Sequence, residues 1–153
     1  MAKDIKDAPP PRRTWMSVLA QADEAELLKL WAMYGAPPDF DWLRTPECGG
    51  VMVRGRMGGT GAPFNLGEMT VTRCSVTLKD GTIGHGYVQG RSKAKAQAAA
   101  LIDALMQGDP DGRLYDAVIA PLAAMQQAEK ASRASKAAAT KVEFFTMVRG
   151  EDA

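Results

Sequence analysis

From Gly50 to Arg91 the chain reads GVMVRGRMGGTGAPFNLGEMTVTRCSVTLKDGTIGHGYVQGR, and no long helix can be drawn through it. Ten of the protein's 15 glycines fall here, among β-branched residues at alternating positions. Val51, Val53 and Gly55 alternate with Met52, Arg54 and Arg56, which is the period of a half-buried strand. Both flanks carry helical spacing instead. The fold class that follows is α+β. A small antiparallel β-sheet, over about residues 50–90, is packed by N-terminal helices and a following helix. A C-terminal helical arm ends in a strand-like segment.

Within the sheet, Met57 to Pro63 is too rich in glycine for regular structure and reads as a turn. A strand from Glu68 to Leu78 and a return strand from Ile83 to Gln89 flank the hairpin signal Lys79-Asp80-Gly81-Thr82. A two-residue loop pairs Val76 with His85 and puts the histidine in the core. A three-residue loop pairs Ser75 with His85 and Arg73 with Tyr87, and turns Gly84 and Gly86 inward. A one-residue slip exchanges the faces. The longer loop is favoured, because Gly81 suits its left-handed position and the glycines offer the Ala-rich helix a close approach.

The flanks divide the chain into residues 1–12, a Pro-rich solvated tail; 13–125, one α+β domain; and 126–153, an arm and docking tail. Thr14 is a candidate N-cap for a helix carrying Trp15, Val18, Leu19 and Ala22, and Asp23 for a second carrying Leu27, Leu28, Leu30 and Trp31. Phe40, Trp42 and Leu43 are expected under a loop as satellite core. Ser92 caps a helix to Met106 with Ala94, Ala98, Leu101, Ile102 and Leu105 as its buried stripe. A last helix carries Leu114, Val118, Leu122 and Met125, with a break or kink at Pro121. Beyond Gln126 it is Ala-rich and polar, then reaches Phe144, Phe145, Met147 and Val148, which are the expected partner-docking residues.

A net charge of +1 gives no whole-molecule field for nucleic acid or membrane, so neither is an expected partner. Cys48 and Cys74 lie far apart, and the single histidine cannot complete a zinc set, so no metal site is expected; buried, inert thiols are the default. No apolar leader is seen, and the expected compartment is the cytoplasm. Gly55 to Ala62 lacks the Gly-Lys-Ser/Thr of a phosphate loop, and the glycines around His85 are misplaced for a dinucleotide fingerprint. What remains is an Arg-lined sheet face. In the favoured register Arg54, Arg56, Arg73, His85 and Tyr87 share it, with Arg91 at its edge. These are the anion- or partner-binding candidates, suited to phosphate or carboxylate groups or to pairing with acids such as Glu47 and Glu68. No catalytic residue is assigned, His85 being the only candidate.

Several stretches together resemble a known family. They are Arg13-Thr14-Trp15-Met16, Val51 to Arg56 with Gly58-Gly59-Thr60-Gly61, Pro63 to Glu68, Thr70 to Cys74, Gly84-His85-Gly86-Tyr87, and Phe144 to Gly150. Their order and spacing are similar to the G subunit of the bacterial phosphonate carbon–phosphorus lyase core complex. The resemblance implies a cytoplasmic assembly with H, I and J subunits, the I subunit being the direct partner and an ATPase-like L subunit joining functionally. It implies that G, H, I and L attach a phosphonate to C1 of the ribose of MgATP and expel adenine. No cofactor is implied for this chain itself, MgATP being a substrate of the complex. The I subunit is implied to carry the displacement chemistry, with this chain a companion that packs on it.

Overall fold

The computed structural model describes residues 11–142. In chain order these form α1 (Arg12–Gln21), α2 (Glu24–Tyr34), β1 (Phe40–Arg56), β2 (Pro63–Leu78), β3 (Ile83–Gln89), α3 (Lys93–Met106) and α4 (Ala120–Ala139). The three strands make one antiparallel sheet in the order β1-β2-β3, so the fold is α+β as expected. Among the described residues no helix is long and apolar enough to cross a membrane.

The β2–β3 hairpin adopts the three-residue loop. Ser75 pairs with His85 and Arg73 with Tyr87, while Gly81 takes the left-handed conformation at φ 86°. Thr72, Cys74, Val76, Gly84, Gly86 and Val88 therefore face the helices and are buried. The glycines are a condition of contact. A Cβ on Gly84 would fall 2.0 Å from the carbonyl oxygen of Ala100, and one on Gly86 2.1 Å from that of Ala96. Helix and sheet meet backbone to backbone.

α3 is the centre of the molecule. Its buried surface is wider than a single stripe, because the sheet covers one side while α1 and α2 cover others. Ala96, Ala98, Ala99, Ala100, Leu101, Ile102 and Ala104 are all buried, whereas the expected Ala94 is exposed. Trp15, Leu19, Leu27, Trp31, Leu114, Val118, Ile119 and Leu122 complete this core. Each fully buried Leu, Ile or Val contributes about 1.5–3 kcal/mol. Side chains spaced eight and then four residues apart along one line of α3 also serve the outer edge of β3. Lys95 Nζ donates to the Gln89 carbonyl at 3.3 Å, Asp103 Oδ2 accepts the His85 amide at 2.8 Å, and Gln107, just past α3, donates to the Ile83 carbonyl at 2.8 Å. Three of this edge strand's outer backbone groups are thus met by side chains.

Asp23 caps α2 and Ser92 caps α3, as their positions predict. Thr14 caps nothing. α1 starts two residues earlier, after Pro11, and Arg12 belongs to the folded body rather than to the tail, because its guanidinium grips Asp103. Phe40, Trp42 and Leu43 are not in a loop. They begin β1, which runs ten residues upstream of the expected sheet start; Phe40 packs on the core, but Trp42 and Leu43 are exposed. Pro121 neither breaks nor ends its helix. A π turn at Tyr115–Ile119 widens the coil just before it, so that the Ala120 amide reaches the Tyr115 carbonyl and the proline ring is accommodated near the start of α4. Met125 is exposed rather than core, and from Gln127 onward every described residue of the arm is exposed. Phe144, Phe145, Met147 and Val148 lie outside the described residues, as does most of the Pro-rich tail.

β1 and β2 continue past the end of β3 as a two-stranded ribbon. Gly49 pairs with Val71, Val53 with Gly67 and Arg56 with Pro63, with Leu66 left over at a bulge. β2 thus begins at Pro63, five residues before the expected Glu68. At the tip, Met57–Gly59 forms a single 3₁₀ turn in which Gly58 and Gly59 take positive φ.

Candidate functional site

The sheet face turned away from the helices carries the polar cluster. β2 presents Arg73 and Ser75 there, and β3 presents His85 and Tyr87, because alternate residues of paired strands share a face. The Ser75 hydroxyl and His85 Nδ1 lie 2.8 Å apart. β1 contributes Arg44 and Glu47. Glu47 Oε1 accepts from Arg44 at 2.5 Å and from Arg73 Nε at 2.7 Å. These two guanidinium groups hold the Glu47 carboxyl below the usual carboxylate range, Arg44 contributing most. All three side chains are half exposed, so the network fixes geometry more than it adds stability.

Beneath this face Asp103 anchors the site. It is 0% exposed yet carries four hydrogen bonds: Arg12 Nε at 3.0 Å, an Arg12 terminal nitrogen at 2.6 Å, Trp15 Nε1 at 2.9 Å, and the His85 amide at 2.8 Å. One carboxylate therefore ties the start of α1, the indole of Trp15 and the backbone that carries His85 to α3. Its proximity raises the pKa of Arg12, chiefly through the side-chain hydrogen bond. An open depression of about 840 Å³ lies above, lined in part by Arg12, Arg44, Ser75, His85 and Gln107.

The register does not bring the five expected residues together. Arg73, His85 and Tyr87 are neighbours. Arg54 and Arg56 pair with Asn65 and Pro63, eight or more residues of β2 away, on the order of 26 Å at about 3.3 Å per residue. Alternation from Glu47, opposite Arg73, also puts Arg54 and Arg56 on the reverse face. Arg91, past the end of β3, lines a small cleft with Cys48, Gly50 and Glu68. Arg44 and Asp103 were not anticipated as site residues. Arg44 lay in the stretch read as loop, whereas Asp103 had a signal, a lone acid inside a run of buried Ala, Leu and Ile.

Chemically, the face can orient and hydrogen-bond a group rather than activate a nucleophile. Asp103 holds the His85 backbone, not its ring, so it does not complete a Ser–His–Asp relay with Ser75. Arg12, Arg44 and Arg73 already have carboxylate partners, so an incoming anion would share them. Cys74 is buried, which pushes its thiol up to about 11 and keeps it protonated. Cys48, against expectation, is exposed, near the Thr72 hydroxyl and the Arg91 carbonyl. Among the described residues no three His, Cys, Asp or Glu side chains are grouped to hold a metal ion.

The family model described as "Phosphonate metabolism protein PhnG" matches residues 10–150. The chain is also 47% identical, over 141 residues, to a protein of Rhizobium meliloti (strain 1021) named alpha-D-ribose 1-methylphosphonate 5-triphosphate synthase subunit PhnG. That alignment covers 92% of this chain and 90% of the relative.

Proposed function

The chain belongs to the phosphonate metabolism protein PhnG family, and on that premise we propose that it is a subunit of a ribose 1-methylphosphonate 5-triphosphate synthase complex, serving assembly rather than bond-making. The observation that carries this is the near end-to-end match to a relative named as such a subunit. In this reading the chain acts with H, I and L subunits in the cytoplasm. The complex transfers the ribose triphosphate moiety of MgATP to an alkylphosphonate: an oxygen of the phosphonate bonds to C1 of the ribose as the bond to adenine breaks. The I subunit is the direct partner and the J subunit shares the core complex; neither nucleic acid nor membrane is a partner.

The surface supports an assembly role. The sheet's outer face, the ribbon and the arm all leave apolar side chains in solvent, among them Tyr87, Leu66 and Val142. Co-expression with the other pathway subunits, read by native mass spectrometry and adenine release, tests the proposal. A stable hetero-oligomer whose activity vanishes when this chain is omitted is the expected result. A chain that stays monomeric beside every partner would refute it.

One observation favours a second role, direct contribution of anion-binding groups to a composite active site. His85, Ser75, Arg44 and Arg73 lie together on an uncovered face. Loss of one preorganised donor costs about 10²–10³ in kcat. Arg73→Ala and His85→Ala complexes that assemble and turn over normally would eliminate this reading.

A further inference from the structure

We propose that the two-stranded ribbon of residues 49–71 is a docking tongue that enters a cleft on another subunit of the complex, one wall apolar and the other bearing carboxylates. The inference rests on the assembly role and adds the element and the chemistry of its partner.

A two-stranded antiparallel ribbon is marginal in water without a third strand or a packed face. Past Val71 β3 no longer pairs with β2. From Thr70 to Pro63 the ribbon extends on the order of 23 Å at about 3.3 Å per residue. Its two faces differ. The register places Val51, Val53, Phe64 and Met69 on one face, and Leu66 joins them, since its side chain lies 3.5 Å from where a Cβ of Gly55 would stand. Leu66 is 65% exposed and Phe64 42%. The reverse face carries Met52, Arg54 and Arg56, with Met52 58% exposed, and Met57 at the tip is 78% exposed.

Apolar exposure on both faces and at the tip decides the shape of the occupant. A second copy stacked flat would cover one face and leave Met52 and Met57 in water. A cleft covers all three. Charge sets the second wall. Arg54 and Arg56 have no carboxylate within ion-pair distance among the described residues; Arg56 reaches only the Gly61 carbonyl, and Glu68 lies over Gly50. Guanidinium groups at an interface select carboxylates through paired hydrogen bonds.

Hydrogen–deuterium exchange on the full chain, alone and co-expressed with the other subunits, tests this. Amides of residues 51–56 and 63–69 are expected to exchange rapidly in the lone chain and to slow by about tenfold or more on assembly. Leu66→Asp and the pair Arg54→Glu with Arg56→Glu are each expected to weaken capture about 30-fold or more, the loss of a buried interface anchor. A shortened chain in which Asn-Gly replaces residues 54–66 joins Val53 to its partner Gly67 and keeps the body intact. It should retain the parent's far-UV circular dichroism and fail to assemble. A complex that forms while the ribbon exchanges as fast as before, or that captures the shortened chain normally, overturns the docking tongue and leaves the assembly role standing. Protection that rises with concentration in the lone chain assigns the ribbon to self-association and overturns it too. No complex at all overturns both.

Discussion

Replacing Asp103 by Asn tests the anchor beneath the site, because the change keeps shape while it removes the charge and replaces one acceptor oxygen by an NH₂ donor. The native carboxylate receives four N–H donors, two on each oxygen. An amide has one oxygen. Whichever way it turns, its NH₂ group faces donors: either Arg12 with the Trp15 indole, or Arg12 with the His85 amide. At least one buried N–H then loses its acceptor, at about 1–3 kcal/mol. Arg12 is 40% exposed and can turn to water, so its share is about 1 kcal/mol or less. The expected loss is about 1–4 kcal/mol, a sizeable part of the 5–15 kcal/mol typical of a domain. With a urea slope of about 2 kcal/mol/M, the midpoint should fall by about 0.5–2 M. Equilibrium urea unfolding followed by tryptophan fluorescence, with Trp15 on the anchor itself, reads this directly. Arg12→Ala should shift the midpoint far less. A midpoint for Asp103→Asn within about 0.3 M of the parent at unchanged slope would refute the anchor.

Gly84→Ala drives a methyl group into the Ala100 carbonyl and should cost about 3 kcal/mol or more, seen as a lowered Tm; an unshifted Tm would contradict the close helix–sheet contact. A thiol reagent at pH 8 should label Cys48 in the native chain and reach Cys74 only after urea is added; two fast thiols without denaturant would contradict the burial that lifts Cys74 to about 11. Burial lowers the pKa of Lys95 below 10.5, so between its native pKa and 10.5 the unfolded chain holds more protons and stability gains with rising pH. Comparison with Lys95→Met isolates that gain, and the parent's stability relative to the variant should rise across this window; an unchanged relative stability up to pH 10.5 would count against it.

Much of this fold is visible in local pattern. Gly81 at the end of a three-residue loop sets the β2–β3 register, and that register turns Gly84 and Gly86 inward and His85 outward. Asp23 and Ser92 mark their helices by the same local logic. The site was less legible, because its membership depends on β1. The Pro and Asp residues around Phe40 favour a loop, yet pairing with β2 extends the strand through them, bringing Arg44 and Glu47 beside Arg73. Alternation along the same strand then carries Arg54 and Arg56 to the reverse face. Asp103 was concealed for a different reason. A charged residue in a helix is ordinarily solvated, and only the arrival of Arg12, Trp15 and the His85 amide makes its burial tolerable.

The side chains along α3 that occupy the outer backbone groups of β3 also limit the symmetry of any larger sheet. A filament that grows by adding one sheet to the next needs two open edges, one to give and one to receive. Here Lys95, Asp103 and Gln107 already occupy one of them. Over the three-stranded part of the sheet, strand pairing between identical copies is then left with β1 against β1, which a two-fold axis closes after a single step. That part of the sheet can be completed once, by one neighbour, and cannot propagate.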